Sequence, residues 1–249
     1  MKKLSDKQIR DLGLETGKLP KHVGIIMDGN GRWAANRSMM RMLGHRAGME
    51  RLRGLIRLTS DLGIEALSLY AFSTENWRRP KAEVGALFEL LLEYFTRELD
   101  ELHANKVCIR ILGDTSPMPR NIRGALAEAM NRTMSNPGLK LNIALNYGSR
   151  SELAYAARNL AEQVAAGGLK PSAVTEDELS RALYTGGLPD LDLVIRTGGE
   201  KRLSNFMLYQ AAYAELLFSD TYFPDFSNEE YIQALREFQR RIRRYGALA

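Results

Sequence analysis

At 249 residues, 45% hydrophobic and 26% charged, the chain has the size and composition of one globular domain around a single core. Its formal net charge of +5 suits an anionic partner, but so mild a tilt does not call for nucleic acid and none is expected. One cysteine, Cys108, excludes a disulfide framework, and no window approaches the roughly 18 uninterrupted apolar residues of a membrane-spanning helix.

The opening MKKLSDKQIR is basic but enters no apolar stretch, so it does not read as a signal peptide. The expected location is the cytoplasm, with any lipid contact at a membrane surface. Residues 1–20 are polar, end in Pro20 and read as a loosely held N-terminal arm; residues 21–249 read as one domain. Val23–Met27 is the first predicted strand. Helical spacing of Met49, Leu52, Leu55, Ile56 and Leu62 predicts a helix over Gly48–Leu62, stopped by Gly63. Ile64–Phe72 is the second strand, and strict alternation there puts Leu67, Leu69, Ala71 and Ser73 on one face. Pro80 opens a long helix whose apolar residues, from Leu87 to Leu102, cover more than one side. Val107–Leu112 and Lys140–Leu145 follow as strands, each succeeded by a helix, near 121–134 and over Ser151–Ala166. Thr175 with Glu178, and Ser227 with Glu230, carry the capping-box spacing that starts two more helices. Leu191–Ile195 and Glu215–Phe218 complete the strands, and Arg240, Arg241, Arg243 and Arg244 lie in a polar C-terminal helix. Such alternation predicts a single α/β domain with a central, mostly parallel sheet of about six strands flanked by helices.

In such sheets ligands bind beyond the carboxyl ends of the strands, and the unusual residues fall there. Asp28 ends an apolar strand and is followed by Gly29, Asn30, Gly31, Arg32 and Trp33. Two glycines allow backbone N–H groups to nest an anion, and a guanidinium adds a forked donor for phosphate oxygens. Arg41, Gly44 and His45 follow; alone, His45 reads as a capping or core residue, but beside Arg41 and the first loop phosphate contact becomes the better reading. Arg196, Gly198, Gly199, Arg202 and Ser204, ahead of an expected short helix, form a second anion cradle. Two cradles suggest two phosphorylated substrates or one large one. Glu215 precedes an apolar run and with Asp28 is a candidate Mg²⁺ pair. No nucleotide P-loop and no third Rossmann glycine is present. Asp28-Gly29-Asn30 resembles the start of a haloacid-dehalogenase-type phosphatase, yet Asn30 stands where that family carries a second acid. On the residues alone, a phosphotransferase with Asp28 as nucleophile and a non-catalytic anion- or membrane-surface-binding protein both stay open.

The ordered set of motifs from about Pro20 onward resembles the cis-prenyltransferase (isoprenyl transferase) family. It comprises His22–Ala34, Gly44-His45, Phe72–Pro80, Asp192–Glu200, Arg202–Phe206, Tyr213–Leu216 and Phe223–Phe226. The resemblance implies condensation of isopentenyl diphosphate onto an allylic diphosphate, with Mg²⁺, in a homodimer that delivers a long polyprenyl lipid to the membrane surface. It implies that Asp28 is the essential carboxylate and a Mg²⁺ ligand, with Glu215 the second ligand and Asn76 assisting proton removal. Gly29, Asn30, Gly31, Arg32, Arg41 and His45 would hold the allylic diphosphate, with Trp33 at the mouth of an apolar cleft. Ser73, Thr74, Glu75, Trp77 and Arg79 would form a mobile loop beside the substrates, and Arg196, Arg202, Leu203 and Ser204 would bind isopentenyl diphosphate. Thr74 and Ser149 depart from the common pattern without removing a needed chemical group.

Overall fold

Six apolar runs pair into one sheet: β1 His22–Ile26, β2 Ala66–Ser73, β3 Cys108–Leu112, β4 Lys140–Tyr147, β5 Leu193–Arg196 and β6 Glu215–Phe218. All neighbours are parallel, in the order β3-β4-β2-β1-β5-β6. This is a computed structural model, and it describes residues 3–241; Arg243 and Arg244 of the C-terminal basic run lie outside the described residues. The helices are α1 Asp6–Asp11, α2 Asn30–Ala35, α3 Arg41–Asp61, α4 Lys81–Ala104, α5 Arg120–Thr133, α6 Ser149–Ala165, α7 Glu176–Ala182 and α8 Asn228–Arg240. Chain order runs away from β1 toward β2 on one side and from β5 toward β6 on the other. A crevice therefore opens between the carboxyl ends of β1 and β5, where Ile26 pairs with Arg196.

The main core lies on the face packed against α3, α4 and α8, and a smaller cluster around Tyr147, Phe206 and Leu191 covers the other face. Helices α3 and α4 are also bridged by a row of ion pairs, Arg46–Glu93 at 2.7 Å, Arg97–Glu50 at 2.7 Å, Arg57–Glu101 and Arg53–Glu98. Among the described residues, no helix is long and apolar enough to cross a membrane.

Four expectations change. The N-terminal arm is not loose: a Ser5–Gln8 capping box starts α1, and Ile9 and Leu14 are buried in the main core. Helix α3 begins at Arg41, not Gly48, which places Arg41, Gly44 and His45 in its first turns. No helix follows Ser204; the segment is a series of turns in which Ser204, Asn205 and Met207 have φ of 48°, 64° and 45°. A register shift at Ala71 breaks the alternation of β2, so Phe72 rather than Ala71 joins Leu67 and Leu69 in the core. Ala71 is left exposed toward the cleft described below.

Away from the crevice, at the start of β1, His22 is 1% exposed. Its Nδ1 lies 2.9 Å from the carbonyl of Pro189, which can only accept, so Nδ1 carries the proton. Nε2 then accepts from the Ser68 hydroxyl at 2.7 Å, and Ser68 accepts in turn from Asn142 at 3.1 Å. Burial lowers the His22 pKa, only partly countered by the Pro189 carbonyl and Asp192. Because the unfolded imidazole titrates near 6.5 and the folded one below it, stability is full above pH 6.5 and declines as pH falls, by at most about 1.4 kcal/mol per unit. His45, also depressed, adds to the same limb. Urea midpoints between pH 8 and 5.5 should fall, and His22→Gln should flatten the decline; an equally steep His22→Gln curve would remove His22 from the account.

Candidate active site

Asp28 sits one residue beyond Met27 at the end of β1, and its loop is held by backbone. The Asp28 carbonyl accepts from Phe223 N–H at 3.0 Å and from the Thr197 hydroxyl at 2.8 Å. Gly29, at φ 99°, turns the chain into α2, and a side chain there would strike the Tyr222 ring at 2.5 Å. The chain thus folds so that the Asp28 carboxylate faces three donors. Gly29 N–H donates to Oδ1 at 2.6 Å, Arg196 donates to Oδ2 at 2.8 Å, and Arg32 lies 3.1 Å from Oδ1. Burial alone would raise the Asp28 pKa; the bonds from Arg196 and Gly29 and the charges of Arg196 and Arg32 more than offset it and hold the carboxyl below its ordinary range.

Arg196 is 4% exposed and is the centre of the second group. Its other amino nitrogen donates to Ser204 Oγ at 2.7 Å and to the carbonyl of Arg202. Arg202 itself stands exposed on the rim beside Glu200, which also lies 3.5 Å from Arg32. The expected helix N-terminus is missing from this cradle; left-handed turns present Ser204 instead.

On the opposite side of Asp28 a cavity of about 380 Å³ is lined by Gly29, Gly31, Arg32 and Arg41. Arg41 is 3.2 Å from Glu83, which also pairs with Arg79 at 3.1 Å. His45 has its pKa pushed to about 4, first by burial and then by Arg79 and Arg41, so it is neutral near pH 7. Three buried polar atoms here lack a partner: Asn30 Oδ1, His45 Nε2 and Arg196 Nε. Unsatisfied groups of this kind are costly in a sealed interior and are expected where a polar ligand completes the site.

From Asp28 a larger cleft of about 610 Å³ runs inward between β1, β2, α3 and α4. Its mouth carries Asp28, Asn30, His45, Ser73, Asn76 and Arg196, and its depth Leu52, Phe88, Leu90, Leu91 and Leu145. A polar, cationic mouth on an apolar interior fits an amphiphile with an anionic head. Residues 73–78 form the lip. Ser73 N–H donates to Asn76 Oδ1 at 3.1 Å, and Thr74 and Trp77 are not among the residues lining the cleft. Trp77 donates to Asn146 Oδ1 at 2.8 Å and packs on Phe72 and Phe88.

Two expected placements do not hold in this chain. Trp33 lines neither cavity, because its indole N–H donates to Asp225 at 2.7 Å and Arg37 stacks on its ring. Leu203 packs against the smaller apolar cluster and likewise lines neither. The Asp28–Glu215 metal pair is also not formed. The parallel register puts Glu215 beside Leu193, at the amino end of β5, whereas Asp28 lies past the carboxyl end of β1; Glu215 instead pairs with Arg241 at 2.8 Å. Among the described residues no group of three or more acidic, histidine or cysteine side chains is arranged so that it could hold a metal ion. Asp28 alone still suits Mg²⁺, which commonly takes one or two carboxylates and completes its shell with phosphate oxygens and water. Sequence reasoning passed over Tyr70 and Asn205. Tyr70 lines the cleft, with its hydroxyl 3.2 Å from the Ser204 carbonyl, and a tyrosine within a strand run gives no sign of that role.

The prenyltransferase family model described as undecaprenyl diphosphate synthase matches residues 26–246. An isoprenyl transferase of Clostridium tetani is 46% identical over 235 residues, covering 94% of this chain and 92% of that one. A (2E,6E)-farnesyl-diphosphate-specific ditrans,polycis-undecaprenyl-diphosphate synthase of Vibrio vulnificus is 46% identical over 233 residues, covering 94% and 93%. Among solved structures, lavandulyl diphosphate synthase from Lavandula x intermedia, in complex with dimethylallyl diphosphate, superposes with a TM-score of 0.90 at 33% identity, covering 93% of this chain and all of that one.

Proposed function

The chain belongs to the undecaprenyl diphosphate synthase family of prenyltransferases, and from that premise we propose that it is a cis-prenyltransferase condensing isopentenyl diphosphate onto farnesyl diphosphate. Repeated rounds build a long polyprenyl diphosphate, undecaprenyl diphosphate, as precursor of a glycosyl carrier lipid. The observation that carries this reading is Asp28, flanked by two guanidiniums where a cationic rim opens onto an apolar cleft.

Gly29, Asn30, Gly31, Arg32, Arg41 and His45 take the allylic diphosphate, whose chain enters the cleft. Arg196, Arg202 and Ser204 take isopentenyl diphosphate. As the allylic C1–oxygen bond lengthens, negative charge gathers on the departing diphosphate, and donors already fixed around it favour the transition state over the ground state. Asp28 would hold Mg²⁺ when it is bound, and the ion would supply further neutralisation of that charge. The isopentenyl double bond attacks C1 as the C1–oxygen bond breaks, and the proton lost from C2, with Asn76 assisting, passes to the departing diphosphate. The lip, with Ser73, Thr74, Glu75 and Trp77 and with Arg79 just beyond it, closes over the reacting atoms and keeps water out. The enzyme works in the cytoplasm as a homodimer and passes its product to the membrane surface; β6, an edge strand with half-exposed Leu216, Leu217 and Phe218, is a face for a second copy to cover.

Incubation with farnesyl diphosphate, labelled isopentenyl diphosphate and Mg²⁺, followed by reversed-phase sizing, tests the reading. The expected result is a long labelled product with release of diphosphate. Inorganic phosphate and no chain growth would instead restore Asp28 as a phosphotransfer nucleophile, and a product of only a few added units would make this a shorter-chain synthase. The same assay on Ala71→Leu should give shorter products with the first condensations intact. The bulge turns Ala71 into the cleft, where three added carbons obstruct a lengthening chain but touch no diphosphate site. An unchanged length distribution would take Ala71 off the path of the chain.

A further inference from the structure

Two hydrogen bonds tie the lip to neighbouring segments, one on the β4 side and one on the β5 side, and each involves an asparagine side chain. Trp77 donates to Asn146, and Asn205 donates through Nδ2 to Glu75 Oε1 at 3.0 Å. Both asparagines have left-handed backbones, at φ 46° and 64°. Asparagine is one of the few non-glycine residues that adopts this region readily, so a rim that needs both the turn and a side-chain amide selects it.

Asn205 is the more constrained of the two. Its Oδ1 accepts Arg150 N–H at 3.0 Å and its carbonyl accepts Ser149 N–H at 2.8 Å, while the Ser149 hydroxyl accepts Leu208 N–H at 3.0 Å. The amino end of α6 therefore grips the turn, and these partners fix the amide so that its NH₂ must point at the lip. One residue along, Ser204 accepts from Arg196, which in turn reaches Asp28. We propose that Asn205 is a positioning residue that latches the lip shut, joining Glu75 to the Arg196–Ser204 anion cradle so that closure and the cradle's geometry are set together. The latch itself follows from the contacts; its effect on isopentenyl diphosphate rests on the function proposed above.

The test exploits the direction of the bond. Asn205→Asp keeps the size and the acceptor for Arg150 N–H but sets a carboxylate against Glu75. Adding Glu75→Gln restores a bond of reversed polarity, with the introduced glutamine amide donating to the introduced carboxylate. Trypsin reports the state of the lip, because Arg78 is exposed there and the fragment ending at Arg78 is identified by mass. Losing a hydrogen bond to a charged group should raise cleavage after Arg78 roughly tenfold in Asn205→Asp. The double variant should return it to near the parent rate, an outcome that a merely unfolded turn cannot give. In the condensation assay Asn205→Asp should raise KM for isopentenyl diphosphate more than for the allylic substrate. Unchanged cleavage in Asn205→Asp, or a rise that Glu75→Gln fails to reverse, overturns the latch. If cleavage behaves as expected while no condensation is seen with the parent protein, the latch stands and the proposed function falls.

Discussion

Asp28→Ala should lower turnover by roughly three orders of magnitude or more, the cost expected of losing the group that the proposed function puts at the centre of the transition-state charge. The protein should remain folded. What holds the loop is the Asp28 carbonyl, bonded to Phe223 N–H and Thr197, and alanine keeps that carbonyl. Some stability is nonetheless lost, because Arg196, 4% exposed, would face the crevice without its counter-charge. Since Asp28 is itself partly exposed, solvent blunts this penalty and a fall of a few degrees in Tm is expected. Asp28→Asn separates charge from shape. It should fail nearly as badly as alanine, since it fills the same space without balancing Arg32 and Arg196. Steady-state rates at saturating Mg²⁺, with circular dichroism melting, decide the matter. A variant retaining a tenth of parental turnover would remove Asp28 from the chemistry.

Gly44→Ala should damage both stability and activity through one methyl group. Gly44 lies in the first turn of α3, pressed on the start of α2. A Cβ there would stand 2.0 Å from the Asn30 carbonyl oxygen and 3.1 Å from the Ala34 methyl. Backbone cannot yield as a side chain can, so the two helices must part, at about 1–3 kcal/mol. That corresponds to a fall in Tm of several degrees for a chain of this size. Moving Asn30 also moves Gly31 and Arg32, so kcat/KM should drop about a hundredfold, as small misplacements of reacting groups do. Gly124→Ala is the control. It lies within α5 with nothing inside 4 Å of the added carbon, and should gain about 0.5–1 kcal/mol from helix propensity. Equal effects from the two substitutions would mean that the α2–α3 contact is soft.

Much of the fold was legible because strands buried on both faces read as unbroken apolar runs and the helices between them as periodic ones. The errors have local causes. Helix α3 begins seven residues early because Arg41, Met42 and His45 follow no apolar stripe; what admits them is the close approach at Gly44 and Gly48 against Asn30. The helix expected after Ser204 has adequate propensity, yet the grip of α6 on Asn205 draws the segment into left-handed turns. Alternation along β2 failed at one bulge, which periodicity cannot announce. The rim residues were found because glycine, arginine and a carboxylate clustered after strands. The separation of Asp28 from Glu215 was not, since it depends on the register of β5 and β6, and no spacing in the chain encodes that.

The row of ion pairs between α3 and α4 lies on two helices that also wall the cleft. Several of these bridges are solvent-facing pairs, each worth at most about 1 kcal/mol and weakened by added electrolyte. Glu98 is the exception, 3% exposed and held between Arg53 and Arg97. Beneath these pairs Leu52, Leu55, Leu91 and Phe95 of the same two helices are buried in the main core, so the ion pairs form only the outer edge of the seam. Added electrolyte should therefore weaken the solvent side of this seam while leaving its apolar side and the buried Glu98 in place.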